Sequence, residues 1–343
     1  MTRIQSVDCF RVLAIIAVIT IHTIPFAYGE NVGNEFDLAL IVNQLARFAV
    51  PFFLITSGYF WSAKVQAGGD MSGSTVKATV RIFMLFVVWS LLYVAIDVVR
   101  IFVTGGEIAV WNKLIRIETV IHGEPLTSLI QGSKPHLWFL PALLVSMLIT
   151  AAIPSKRYLP VLMIGSACLF VIGILGGSYR DSPFGIRTDF NFRNGPFFAL
   201  ICFVSGHILC LLKPRRSWLL YGSVVALLAL IGHFCELALI HALWGTTMAQ
   251  DYVVSTLAVG IGVAMMALSN HPVLCIPGVS TIGRYVLGVY VIHYFFVVIL
   301  RHRHHYTAFP WTNEVLYIIV VAVLSFATAI VLSRFSVTQR LVA

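Results

Sequence analysis

Long, continuously apolar runs separated by short polar segments dominate this chain. Ten stand out, at roughly 8–28, 38–62, 78–103, 136–153, 159–176, 196–212, 217–240, 252–269, 281–300 and 314–333. Most match the length of about 20 residues that carries an α-helix through bilayer hydrocarbon. The runs are apolar throughout instead of alternating, which excludes barrel strands; helices then remain the way to satisfy the backbone in lipid. The pattern predicts an all-α, polytopic membrane bundle of about ten transmembrane helices. The longest connection is 104–135, so residues 1–343 read as a single transmembrane domain.

Composition sharpens this picture. The chain is 59% hydrophobic and 11% charged, with a mean hydropathy of +0.92, whereas a soluble domain is about 25% charged. Arg3, the apolar run after it and the small residues near Ala27 and Gly29 are also the ingredients of a signal peptide. The run is too long for that and holds Arg11, so it is expected to stay as the first helix. Basic residues set the orientation. Lys156-Arg157 and Lys213-Pro214-Arg215-Arg216 occupy short loops that fall inside if the N-terminus does. Both termini are therefore expected in the cytoplasm, for a protein integral to a bacterial cytoplasmic (inner) membrane.

The net charge of +9 fits anchoring to anionic membrane lipid. The cations are scattered over many loops, which argues against nucleic acid. Six cysteines lie in or beside helices without metal-ligand spacing, so free thiols and no metal are expected.

Ionisable groups inside apolar helices cost about 2.5–3.5 kcal/mol each on insertion scales, so those present are candidates for function. Arg11 and His22 lie eleven residues apart in the first helix. They share a face within about 20° and stand about 16 Å apart along the axis. The plain alternative is a snorkelling Arg11 and a His22 tied to a carbonyl. In the second helix Arg47 follows Asn43 and Gln44, and His293 lies in the ninth. Counted from their helix centres, His22, Arg47 and His293 come to matching depths and are expected to form one polar layer. Arg11, Lys77, Arg81 and Arg284 fall at the inner helix ends, where cations suit phosphates; positive-inside flanking is the alternative for Lys77 and Arg81. Asp97 and Glu236 read either as snorkelling carboxylates or as partners of a histidine. Ser57 lacks the flanking glycines of a nucleophile elbow and reads as a packing position. Arg301 to His305 read as a basic interfacial loop. His136 and Trp138, at the outer start of the fourth helix, read as residues that stack on a sugar, with interfacial anchoring the alternative for Trp138.

Four stretches in order resemble the acyltransferase-3 membrane family. They are Asp8 and Arg11 with His22 after ten intervening residues, Val50-Pro-Phe-Phe-Leu-Ile-Thr-Ser-Gly-Tyr59, His136-Leu-Trp-Phe-Leu140, and Gly283-Arg284 through Gly288, Tyr290 and His293. The resemblance spans nearly the whole chain. It points toward bacterial surface-polysaccharide O-acetyltransferases, including the type acting on enterobacterial common antigen. It implies a cytoplasmic acyl donor, usually acetyl-CoA, and a glycan or lipid-linked saccharide acceptor at the outer face. It also implies that Arg11 and His22 are the residues on which activity depends. Members often double an Arg where the third helix begins, whereas here Lys77 and Arg81 are spread out. Many also carry a fused outer domain; this chain is expected to leave acceptor recognition to its loops.

The expected chemistry follows. Donor phosphates dock on Arg11, Lys77, Arg81 and Arg284, and the pantetheine arm runs beside the first helix. His22 takes the acceptor proton, Arg47 steadies the oxyanion, and His293 serves as second base, relay or oxyanion donor. An acyl-His22 intermediate stays open. The rival readings are a transporter or exporter of a glycan or small molecule, and transfer of another acyl group such as succinyl. Transporters tend to show inverted repeats and broken helices, and no convincing pair stands out.

Overall fold

The computed structural model describes residues 3–25, 35–68, 71–153, 156–301 and 310–342. Among the described residues the chain is helical, with no strand. Seven spans among the described residues are long and apolar enough to cross a membrane: Gln5–Thr23, Leu38–Gln66, Met71–Gly123, Leu159–Gly176, Trp218–Trp244, Pro277–Arg301 and Thr312–Leu332. Three shorter apolar helices, Phe139–Ala152, Pro196–Leu212 and Val254–Leu268, take the remaining places. Each coincides with one of the ten apolar runs, and the protein is an all-α polytopic membrane bundle.

Boundaries differ from expectation where single residues intervene. The first helix, α1 (Gln5–Thr23), ends at Ile24, whose left-handed backbone (φ 49°) sends its N–H back to Thr20 O. The second run is two helices, α2 (Leu38–Ala46) and α3 (Ala49–Gln66), interrupted at Arg47-Phe48. Pro51 accounts for the break: it has no N–H to donate, and its ring collides with the carbonyl four residues back, that of Arg47. The third helix, α4, runs from Met71 to Gly123, well past the expected 103, with non-helical backbone at Gly106 (φ 69°, ψ −168°). The expected 104–135 loop is thus largely helical, and α5 (Pro125–Gln131) follows.

The next helices are α6 (Phe139–Ala152), α7 (Leu159–Gly176), α8 (Pro196–Leu212), α9 (Trp218–Trp244) and α10 (Val254–Leu268). The ninth run is divided into α11 (Pro277–Ile282), a 3₁₀ turn (Gly283–Tyr285) and α12 (Val286–Arg301). Finally come α13 (Pro310–Leu332) and α14 (Ser336–Val342). Ala27, Gly29 and His302 to His305 lie outside the described residues. All six cysteines are free thiols.

Among the described residues the interior holds one large apolar cluster, drawing chiefly on α1, α3, α4, α6, α7, α8, α10, α12 and α13, and two smaller ones around Leu237 and Leu200. Large apolar side chains such as Leu91, Val103, Ile164 and Leu220 are exposed on its outer surface, where lipid replaces water. Close helix contact there rests on small residues. A Cβ on Gly58 of α3 would come 2.0 Å from Phe203 O, and one on Gly206 of α8 only 1.9 Å from Ile55 O. Gly206→Val is therefore expected to force α3 and α8 apart, costing at least the roughly 1–3 kcal/mol typical of overpacking. A clear drop in the unfolding temperature of the purified protein checks this; an unchanged one refutes the contact.

Candidate functional site

The three short helices share a feature. At the start of each, the chain holds polar residues in the preceding turn, enclosed by longer neighbours: His136 and Trp138 before α6, Arg193 and Asn194 before α8, Asp251 before α10. Non-helical backbone at such a position is tolerated in a membrane protein when protein surrounds it. These turns meet the end of α1 that carries His22, the α2–α3 break at Arg47, and α12.

Around His22 stands a cluster of rings. His293 of α12 is 5.4 Å from it centroid to centroid, Tyr294 5.5 Å and His136 6.1 Å. His136 and His293 are 5.0 Å apart, and His136 stacks on Tyr294 at 5.1 Å. Tyr93 of α4 and Tyr290 of α12 each approach His136 at 5.5 Å. Two tyrosines brace the cluster through backbone: Tyr93 donates to Val291 O at 2.7 Å and Tyr290 to His136 O at 2.5 Å. His293 Nδ1 lies 2.7 Å from Tyr290 O. A carbonyl only accepts, so Nδ1 carries the proton and Nε2 the lone pair. That Nε2 and both ring nitrogens of His136 are buried without a hydrogen-bond partner among the described residues. Buried polar atoms left this way are uncommon and call for a ligand or water.

Beside the rings lies a charged cluster. Arg47 donates to Asp251 Oδ1 at 2.6 Å and to Asn43 Oδ1 at 3.1 Å. Arg193 reaches the same carboxylate at 3.2 Å, and its guanidinium stands 5.3 Å over the Trp138 ring. Two cations thus share one anion, leaving a surplus positive charge. Arg47, Arg193 and Asp251 all act electrostatically on the His22 ring. Burial raises the Asp251 carboxyl, but Arg47 and Arg193 outweigh it and hold the group below the ordinary aspartate range. Gln44, one turn earlier, donates to Gln250 O and accepts from His233, whose other nitrogen meets Thr256. This chain fixes the α2 end and the Asp251 turn against each other.

The structure thus brings His22 and His293 together with Arg47 close by. His136 and Trp138 are buried, not displayed at the surface: His136 stands within the ring cluster and Trp138 lies under Arg193. Asp97 and Glu236 face no histidine of the cluster and do not snorkel as free carboxylates. Asp97 pairs with Lys134 at 2.7 Å. Glu236 accepts from the Val254 and Ser255 N–H groups, the Ser255 hydroxyl and the Tyr179 hydroxyl. It caps α10, whose first N–H groups lack partners within the helix.

At the opposite end, Arg11 donates to Asp8, which also binds Arg3, and stands 5.0 Å from the Phe60 ring. Lys77, Arg81 and Arg284 are exposed, Arg284 over Tyr285. A link between Trp61 Nε1 and the Thr75 hydroxyl, 3.1 Å, brings the α4 start beside α3 at this end. Between Arg11 and His22, α1 is closed: Ile15 and Ile19 are fully buried. Two cavities, of about 380 and 90 Å³, are lined by neither Arg11 nor His22. No three His, Cys, Asp or Glu side chains among the described residues are disposed to hold a metal ion.

Sequence reasoning did not single out Asp251, Arg193, Tyr93 or Tyr294. A lone carboxylate such as Asp251, beside a Tyr and ahead of an apolar run, was the available signal.

Comparison with known proteins places this architecture. The family profile described as an acyltransferase domain matches residues 4–334. An amino-acid racemase of Enterococcus faecalis is 28% identical over 221 residues, covering 60% of this chain and 28% of that protein. A serine/alanine racemase of Enterococcus gallinarum is 27% identical over 257 residues, covering 69% of this chain and 33% of its own. The chain thus spans a third or less of these curated relatives. No solved structure matches.

Proposed function

Because this chain belongs to the acyltransferase-3 family of membrane proteins, we propose that it is a membrane O-acyltransferase carrying an acetyl group from cytoplasmic acetyl-CoA to a glycan or lipid-linked saccharide hydroxyl. The observation that supports this is the meeting of His22, His293 and His136 with the Arg47–Asp251–Arg193 cluster in electrostatic reach of His22, which offers candidates for a base and for an oxyanion site. The acceptor hydroxyl attacks the thioester carbonyl while His22 takes its proton. Arg47, oriented by Asp251 and Asn43 and assisted by Arg193, steadies the oxyanion. The carbon–sulfur bond then breaks, and His22 returns the proton to the departing thiolate. His293, its Nδ1 proton fixed on Tyr290 O, offers Nε2 as relay or second base.

The donor phosphates dock at the far end on Arg11 with Lys77, Arg81 and Arg284. The reading requires the α1 seam at Ile15 and Ile19 to part for the pantetheine arm. A bacterial cytoplasmic membrane, with both termini inside, puts donor and acceptor on opposite sides of this path.

The racemase names of the relatives belong to proteins of which this stretch is a third or less. Incubation with acetyl-CoA, with and without a saccharide acceptor, is expected to release free thiol in an acceptor-dependent way. Acceptor flux across proteoliposomes without thiol release, or D-serine formed from L-serine without it, overturns the proposal.

A further inference from the structure

A cleft of about 380 Å³ lies between α4 and α12, and its walls are almost wholly apolar: Ile96, Val99, Phe295, Val298 and Ile299 among them. That volume lies within the range of ligand sites, about 300–1,000 Å³. Its polar groups gather together. Asp97 and Lys134 form a 2.7 Å ion pair, and Arg100 adds a cation that no carboxylate among the described residues pairs with. The cleft therefore carries one net positive charge beside an apolar slot.

Its remaining wall is Tyr93, with the Lys134 ammonium 5.8 Å from the ring. The same ring stands 5.5 Å from His136 and 6.5 Å from Tyr294, and its hydroxyl is fixed on Val291 O. Tyr93 is thus a rigid partition with the cleft on one side and the histidine cluster on the other. Val99 and Arg100 are exposed where lipid surrounds the bundle, so the slot opens sideways into the membrane.

We infer that this cleft is a lateral docking site for a lipid-phosphate-linked saccharide, the acceptor itself. One lipid chain lies along Val99, Phe295 and Val298, the phosphate faces Arg100 and Lys134, and the saccharide lies at the Tyr93 wall, whose other face meets the histidine cluster. Three features fit this occupant. The slot is apolar, as a hydrocarbon chain requires. The surplus cation complements a phosphate. The shared Tyr93 wall makes the site continuous with the rings. The inference rests on the acyl-transfer reading for its purpose, though not for its binding measurement.

The test offers the detergent-solubilised full-length protein either polyprenyl phosphate or phosphatidylglycerol at equal mole fraction, with retention read by native mass spectrometry. Wild type is expected to retain polyprenyl phosphate at least about fivefold better than Arg100→Ala and Val99→Trp, with phosphatidylglycerol retention unchanged. Arg100→Ala removes the cation and Val99→Trp fills the slot, and both positions are exposed. Equal retention of polyprenyl phosphate by wild type and both variants, or a parallel loss of phosphatidylglycerol, overturns the assignment. Thiol release from acetyl-CoA with a water-soluble sugar judges the catalytic reading separately. Its absence in wild type removes that reading, while lipid retention still decides the cleft.

Discussion

Replacing His22 with Ala is expected to lower acceptor-dependent thiol release by about 10²–10⁴-fold, the range a positioned general base contributes. The substitution removes the one ring of the trio at the end of α1, half-buried against His293, Tyr294 and His136. Packing loss alone is not expected to unfold a bundle of this size, so the variant should reach the membrane in normal amounts. His22→Gln, which keeps bulk and hydrogen bonding without the base, should be about as inactive. Transfer within about threefold of wild type in either variant would leave the proposed mechanism without its base. His293→Gln should cost less, because its Nδ1 is occupied by Tyr290 O and only Nε2 is available.

The second large effect centres on Asp251. Asp251→Asn removes the charge that Arg47 and Arg193 share, leaving two neighbouring guanidinium groups to repel. Breaking a buried pair costs about 3–5 kcal/mol. The carboxylate here is 32% exposed, so about 1–3 kcal/mol is a fairer figure once solvent screening is allowed for. Both the unfolding temperature and the turnover number should fall, since Arg47 loses the partner that aims it.

The sign with pH follows from linkage. The folded Asp251 pKa is below the ordinary value of 3.8. Its stabilisation is complete above that value and is lost as pH falls through the lower folded pKa. Wild type should therefore lose stability to acid below about pH 4 through this group, and Asp251→Asn should lack that component. Thermal unfolding scanned against pH measures it. An Asp251→Asn protein that is less stable yet turns over normally would show that Arg47 has no part in the reaction.

Much of this molecule was legible in its sequence. Hydrocarbon thickness imposes a run length that nothing else in a soluble protein demands, so the seven membrane-length spans and three shorter apolar helices could be located from apolar runs alone. The cost of a charge in lipid likewise singles out Arg11, His22, Arg47 and His293 as candidates. Helix ends were less legible. The break at Arg47-Phe48 was implied by Pro51 but hidden inside an unbroken apolar run, and α4 continues into sequence polar enough to read as loop.

The class of fold, the family resemblance and the helices that bear ionisable groups can all be read along the chain, because periodicity and transfer energy are local properties. Packing across the bundle is what joins His136 to His22 and His293, shares Asp251 between Arg47 and Arg193, and sets Glu236 on the start of α10. These partners lie in turns ahead of the short helices α6, α8 and α10 or across helix interfaces, separated by 204 residues between Arg47 and Asp251. A pairing over such a distance depends on how the helices of the bundle pack, and no local pattern of residues encodes it.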